Sequence, residues 1–580
     1  MKYQSSTLAL ALLTLTVPPI ATESPKEDRR AAPPASGFAA SVTIGDGEIF
    51  IGRTGGGQPG SIYPAPGGIH LFQRNAQGGW TDAEHITGVD VDVYDSFGAA
   101  MAVDGNTLLV GAPTQNDGRG AVRVLQRTPE GWTQATTLTA IDHATVRGFG
   151  SAVILNGGLA IVGALPDEGN GAVYVFRRDG ADWSQISMLA GQTTDENDRF
   201  GTALAVSGGR LFVGAPGADD GRGAVYVLRN FALSSGRTVE TILRPSEGEG
   251  DQFFGANLSV VDDVALVGAP ARNDNSGAVF VFRRDAAGTW DADTTLSLSD
   301  RADDAAFGAA LALDGRRAWI GAPGDSDGRG AVYMFAQNEA GDWIRDGMLT
   351  PSKLGPGSAF GSSIALSDGV AVVAAGNADL RIGAAVVFER NASGEWRETL
   401  LLREPARDLQ AMVDGEAACT DGSTGPFDCN EIDLVAFLPA ASMGVEPGVI
   451  INDVWGWTDP QTGKEYALVG RSDAAAFVDI SDPVNPVYLG HLPRTEGAIA
   501  NLWRDIKVYE NHAFIVADGA GAHGMQVFDL TQLRDVRMPP VTFSQTAHYD
   551  GIASAHNIVI NEETGMAYAV GNSMGGETCG

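Results

Sequence analysis

The sequence predicts an all-β repeat protein, and three observations carry that reading. One unit recurs seven times at spacings of 51 to 59 residues. Within each unit, short apolar runs end at Gly, Pro or Asp-Gly, the signals of strands joined by tight turns. Glycine accounts for 76 of the 580 residues without any collagen period.

In chain order, the first element is an export signal. Lys2 supplies the positive end, Thr7 to Val17 an apolar stretch, and Pro18, Pro19 and Ala21 a cleavage region, giving a signal peptide at 1–21 and a linker at 22–37. The apolar stretch is too short to span a bilayer. A secreted or cell-surface location is therefore expected, with no transmembrane segment, and export makes disulfides permissible.

The repeats follow. Phe97-Gly98 opens a unit that runs to Val110-Gly111-Ala112-Pro113 and then to Asp117-Gly118-Arg119-Gly120-Ala121-Val122. The same order starts again at Phe149, Phe200, Phe254, Phe307 and Phe360, and a degenerate copy starts at Phe38-Ala39. In the sixth copy, Phe307 to Leu313 reads as a strand, Asp314-Gly315 as its turn, Ala318-Trp319-Ile320 as a second strand and Gly330 to Phe335 as a third. Trp80, Trp132, Trp183, Trp290, Trp343 and Trp396 hold one common place, and only the fourth unit lacks the ring. A position repeated in this way points to packing between units rather than to ligand stacking. Seven such units imply a seven-bladed β-propeller over residues 38–402.

These residues resemble the FG-GAP repeat, which builds the seven-bladed head of integrin α chains and occurs in many bacterial surface proteins. Many FG-GAP blades carry a calcium loop between their first two strands. Here that loop has shrunk to Asp104-Gly105-Asn106, Asp262-Asp263 or Asp314-Gly315, and calcium needs six to eight oxygens. The resemblance therefore does not extend to calcium, and no cofactor is expected. A second acidic place, after Gly-Ala-Pro, holds Asp117, Asp219, Asp220, Asp325 and Asp327 as weak cation candidates. The competing reading is that Asp-Gly there marks turns, with the following Arg pairing to a carboxylate.

A linker at 403–418 leads to a second domain, 419–580. Cys419 and Cys429 flank a Gly/Pro/Ser turn and read as a local disulfide, with zinc as the rival. Glu465–Gly470 with Ala476–Ile480, and His512–Ala517 with Gly524–Leu530, alternate like paired strands, and a third start stands at Ala567–Val570. This part resembles LVIVD repeats and, more closely, the choice-of-anchor B family, through Asp453–Pro460, Trp503–Ile506, His523–Asp529 and Ser554–Ile560. The resemblance implies attachment to a cell surface. The second domain thus reads as an incomplete β-propeller-like domain. Because the third unit stops short at Gly580 and leaves Cys579 odd, the chain is expected to continue further.

The expected function is a non-catalytic adhesion or protein-binding scaffold that engages an extracellular protein or glycan. With 39 basic against 72 acidic side chains, a net charge of −33 argues against nucleic acid. The rival class is an extracellular metal-dependent hydrolase built on His512, His523, His548 and His556, for which no ligand spacing such as His-x-x-x-His is present.

Overall fold

The computed structural model describes residues 37–56, 65–142, 146–165, 170–191, 197–233, 238–245, 253–298 and 304–404. It also describes 410–578 with short gaps among 416–448, at 502 and at 575–576. The signal region lies outside the described residues. The protein is all-β. Between Phe38 and Arg403 the chain forms seven successive four-stranded antiparallel sheets, each an up-and-down meander in sequence order. They span Phe38–Thr87, Met101–Leu138, Phe149–Leu189, Leu204–Leu243, Asn257–Leu296, Ala310–Leu349 and Phe360–Arg403. Repeated four-stranded sheets of this kind make a β-propeller.

The second and third strands are buried, so they read as continuous apolar runs such as Thr107–Ala112, and the fourth strand is half exposed. Between the third and fourth strands every sheet carries a bulge at one place, for example between Val124 and Leu125 and between Val387 and Phe388. One extra residue reverses which face later side chains take. Trp132, ahead of the bulge, therefore packs against the preceding sheet, whereas Leu138, six positions on, joins the core shared with the following sheet. The ring contacts of the tryptophans confirm packing between units. Trp132 meets Phe50 at 5.7 Å, Trp290 meets Phe212 at 5.2 Å and Trp396 meets Trp319 at 4.7 Å, each edge-on and each in the preceding sheet.

The core is accordingly divided among the interfaces. One apolar cluster fills each gap between neighbouring sheets, including one that joins Phe38, Ile49 and Ile51 of the first sheet to Val372, Val387 and Leu402 of the seventh. Two short motifs lock each interface. A Cβ on Gly111 of Gly-Ala-Pro would lie 2.1 Å from the carbonyl oxygen of Gly150, the glycine of the next Phe-Gly, so both motifs are glycine because each is the other's contact surface. The amide of Phe149 donates to the carbonyl of Arg119 at 3.1 Å, and that of Phe38 donates to the carbonyl of Ile382 at 3.0 Å. The last sheet thus meets the first through the contact used elsewhere. At that interface Ala374 and Ala39 stand in the two glycine places, and Ala39 takes a φ of 60°.

Beyond residue 410 lie a five-stranded sheet, a four-stranded sheet and a hairpin. The first comprises Ile451–Thr458, Glu465–Arg471, Ala474–Asp479 and Val487–Pro493, with Val541–Thr542 added in parallel. The second comprises Arg504–Tyr509, His512–Ala517, Met525–Asp529 and Ala547–Tyr549. A core of Trp457, Tyr466, Phe477, Ile506, Phe528 and Phe543 lies between them, with Phe477 stacked on Phe528 at 4.7 Å. The hairpin pairs Asn557–Asn561 with Met566–Val570. Each unit therefore opens with a strand earlier than the alternation indicated, and Ala567–Val570 belongs to the second strand of its unit rather than the first. Among the described residues no helix is long and apolar enough to cross a membrane.

Candidate functional site

Three sets of polar residues could form a site. The first is the loop after Gly-Ala-Pro. It forms a four-residue turn in which two successive residues take left-handed conformations: Asn116 and Asp117 (φ 56° and 59°), Asn273 and Asp274 (52° and 54°), and Ser326 and Asp327 (55° and 58°). Asp219 and Asp220 do the same at 53° and 57°. Asn and Asp tolerate this region best among residues with a Cβ, so the backbone itself accounts for the run of acidic residues.

In three of these four loops the residue ahead of the left-handed pair reaches the third residue of the third strand. Asp325, buried, accepts from the Tyr333 hydroxyl at 2.5 Å. The Gln115 side-chain carbonyl accepts from Arg123 at 3.1 Å, and the Arg272 guanidinium lies 5.0 Å from the centre of the Phe280 ring. Loop and strand are matched in these three units. Asp219 is held by Arg244 at 2.7 Å, while Asp117, Asp220 and Asp327 are exposed. The Arg of Asp-Gly-Arg-Gly contributes its carbonyl to the next unit's Phe, as Arg119 and Arg329 do. Tyr333→Phe removes a donor from a buried carboxylate and should cost about 1–2 kcal/mol in urea unfolding at pH 7; an unchanged midpoint would show that the pair does not support the loop.

The first hairpins, the usual calcium position of the resembling repeats, are two-residue turns. Asp104 pairs with Thr107, Val261 with Val264 and Asp314 with Arg317. Among the described residues no three His, Cys, Asp or Glu side chains are grouped as a metal site would need.

The second set comprises the histidines beyond residue 500. His523 is fully buried. The Arg504 guanidinium donates to its Nε2 at 2.8 Å, so the proton resides on Nδ1, which donates to the Gly524 carbonyl at 3.0 Å. No lone pair remains on that ring for a metal. Burial above all, with Arg504 beside it, holds its pKa down at about 4. His548 Nε2 donates to the His523 carbonyl at 2.8 Å, His556 Nδ1 to Asp518 at 2.8 Å, and His512 Nδ1 to the Glu510 carbonyl at 2.9 Å. The structure brings His523 and His548 together and gives His512 and His556 separate partners.

Around His523 lies a group that the sequence analysis missed. Arg471 and Arg504 are each 2% exposed. Arg471 makes a two-pronged pair with Asp473 at 2.8 and 2.7 Å, and the Arg471 carbonyl accepts from Arg504 at 2.9 Å. Burial pushes the Arg504 guanidinium down to about 10. An arginine ending a strand of one sheet and another opening the first strand of the next sheet give no sequence signal beyond their rarity in apolar runs.

The third set lies where the first and seventh sheets meet, and it was missed as well. Arg53 pairs with Glu404 at 2.7 Å, both largely buried. Beside them His70 and His85 stack across two strands with ring centres 4.5 Å apart. His70 stands where other sheets carry Tyr174, Tyr226, Phe280 or Tyr333, and it meets Phe38 edge-on at 5.4 Å as those rings meet their own Phe. Aligning the third strands would have found it.

Cys419 is disulfide-bonded, and Cys429 lies outside the described residues. The short strands Ser423–Thr424 and Phe427–Asp428 pair between the two positions.

The repeated four-stranded sheets define the class as a β-propeller fold, and five stretches of it match the FG-GAP repeat. They are 80–124, 132–176, 183–228, 238–282 and 290–335, each running from the fourth strand of one sheet to the third strand of the next. Among solved structures, the chain is similar to a protein from Lactobacillus plantarum at 14% identity, over 57% of this chain and 91% of that one, with a TM-score of 0.41. A periplasmic gluconolactonase from Pseudomonas aeruginosa follows at 17%, over 58% and 92%, with a TM-score of 0.42. A putative 6-phosphogluconolactonase from Bacteroides fragilis matches at 14%, over 61% and 94%, with a TM-score of 0.41.

Proposed function

We propose that this protein is a non-catalytic binding scaffold, exported through residues 1–21 and displayed outside the cell, where it engages an extracellular protein or glycan. In this reading the seven sheets are the blades of one closed seven-bladed propeller over 38–402. Residues 419–580 are an LVIVD-type, choice-of-anchor B-like propeller domain, fastened at its start by a Cys419–Cys429 disulfide. A rigid ring of sheets presents its connecting loops as one broad face, the usual place for binding residues.

The observation that carries the reading is the state of the histidines. The ring of His523 is occupied at both nitrogens, and His512 and His556 are held by different neighbours. Residues disposed in this way support the structure and leave no common point for a metal-bound water.

The test is elemental analysis of the purified full-length protein, with melting curves in the presence and absence of a chelator. The expected result is metal well below one ion per chain and a melting temperature that the chelator leaves unchanged, since an ion bound only by the folded state would raise it. Stoichiometric zinc, with ester or peptide hydrolysis abolished by the chelator, would replace this reading with the metal-dependent hydrolase. Peptide mass mapping should find Cys419 joined to Cys429; free thiols at both positions in exported protein would remove the disulfide from the scheme.

A further inference from the structure

The arginines beyond residue 470 carry more positive charge than their surroundings neutralise. Arg471 ends the second strand of one sheet, Arg504 opens the first strand of the next, and the two meet where the Arg504 Nε donates to the Arg471 carbonyl at 2.9 Å. Both side chains are buried. The Arg471 guanidinium occupies both oxygens of Asp473, at 2.8 and 2.7 Å. Arg504 is left with neutral acceptors, the Arg471 carbonyl and, at 2.8 Å from Nη1, the His523 Nε2. Its last nitrogen, Nη2, is buried without a hydrogen-bond partner. Asp505, the next residue, pairs instead with Lys507 at 2.5 Å and accepts from the Ile558 amide at 2.7 Å. Arg494, whose amide donates to the Asp473 carbonyl at 3.0 Å, adds a third positive charge, near enough to act on both Arg504 and His523. Among the described residues, the pair of Arg471 with Asp473 is the only ion pair that any of the three arginines makes.

A guanidinium in a folded protein keeps its proton, so the excess charge cannot be shed by titration. A buried charge is tolerated when it is both hydrogen-bonded and matched by an opposite charge. Water would give Nη2 a hydrogen bond and leave the charge unmatched, whereas an anion supplies both, and a charge-assisted bond is the stronger of the two. Nη2 is a single donor out of reach of bulk solvent, which suits a one-atom anion better than a phosphate or carboxylate with further oxygens to satisfy. We propose that the arginine group binds one chloride ion at the Arg504 Nη2, as an internal counter-ion that fastens the two sheets together.

The experiment is amide exchange of the full-length protein in sodium chloride and in sodium gluconate at matched ionic strength, so that screening is equal and only the small anion can enter. Exchange at Ile506 and Ile515, which pair in the second of these sheets, should slow saturably in chloride, about tenfold at about ten times its dissociation constant. Exchange at Val153 in the repeat region should be the same in both salts. In Arg504→Met, which replaces the charge by an apolar chain of similar length, the difference between salts should disappear. Crystals of the unaltered protein grown in bromide should show an anomalous peak beside the Arg504 Nη2, a result that does not require the variant to fold. Equal exchange at Ile506 and Ile515 in both salts, a chloride effect that persists in Arg504→Met, or no bromide at Nη2 would each overturn the proposal.

Discussion

Lowering the pH from about 6.5 to about 4 should cost the repeat region about 3 kcal/mol of stability through one residue, and His70→Phe should abolish that loss. The His70 ring is 5% exposed and its pKa is held down at about 4, by burial first and then by His85, with Arg53 acting in the same direction and Glu404 opposing. Between the folded and unfolded values the unfolded chain binds the extra proton and the folded chain does not. Stability therefore rises with pH through this window and falls on acidification. His85 is displaced in the same direction, by burial first, and adds to the trend. The Asp82 carboxyl is raised by burial and gives back a little stability as it protonates. Phe is the natural replacement because Phe280 occupies the corresponding place in another sheet. Urea unfolding at pH 7 and pH 4.5 should show a large gap for the unaltered protein and a much smaller one for the variant. Equal gaps would mean that His70 is protonated in the folded state without penalty.

Gly383→Ala should cost about 3–5 kcal/mol, and the damage should fall at one interface. The residue takes a φ of 100°, and a Cβ there would lie 1.8 Å from the carbonyl oxygen of Phe38. The strain has two parts, an unfavourable backbone region and a clash with a main-chain atom that has no free space to enter. Gly341→Ala separates them, because its φ is 93° with nothing within 4 Å, and it should cost only about 1–2 kcal/mol. Gly330→Ala provides the second comparison, since its Cβ would lie 2.0 Å from the carbonyl of Phe360. Those two sheets are consecutive in the chain, however, whereas the first and seventh are joined only by contacts. Gly383→Ala should therefore speed amide exchange at Phe38, which donates to Ile382, well beyond any change at Phe360 in Gly330→Ala. Equal protection at both amides would show that the first and seventh sheets do not depend on this contact.

The repeat region was legible because each motif has one structural task repeated in step. Phe149-Gly150 and Gly111-Ala112-Pro113 face each other across an interface, so their spacing is fixed by the sheet between them. The tryptophans were assigned to packing because a periodic ring must have a periodic neighbour, as Phe50, Phe212 and Trp319 prove to be. The acidic loops were ambiguous for a physical reason: Asn and Asp serve both cation binding and left-handed backbone, and only the φ values of pairs such as Asn116-Asp117 distinguish the two. Arg504 was invisible because a buried polar side chain in an apolar strand differs from an exposed one only by its neighbours, whereas His70 was overlooked because only an alignment of the third strands sets it against Tyr174 and Phe280. The opening strands Ile451–Thr458 and Arg504–Tyr509 escaped notice because neither alternates cleanly.

The offset between repeat and sheet has a consequence for how such a chain can lengthen. The matched stretch 80–124 begins at Trp80 and ends at Val124, so it carries Ile86, Phe97, Leu108, Val110 and Ala112, which pack together in one gap between two sheets. What is copied when a repeat is duplicated is thus a mated pair of surfaces rather than one sheet with two unmatched sides. An inserted copy arrives with its principal joint already fitted, and the breakpoints fall in the turns between third and fourth strands, where exposed segments such as Pro129-Glu130 can be cut and rejoined without disturbing a core.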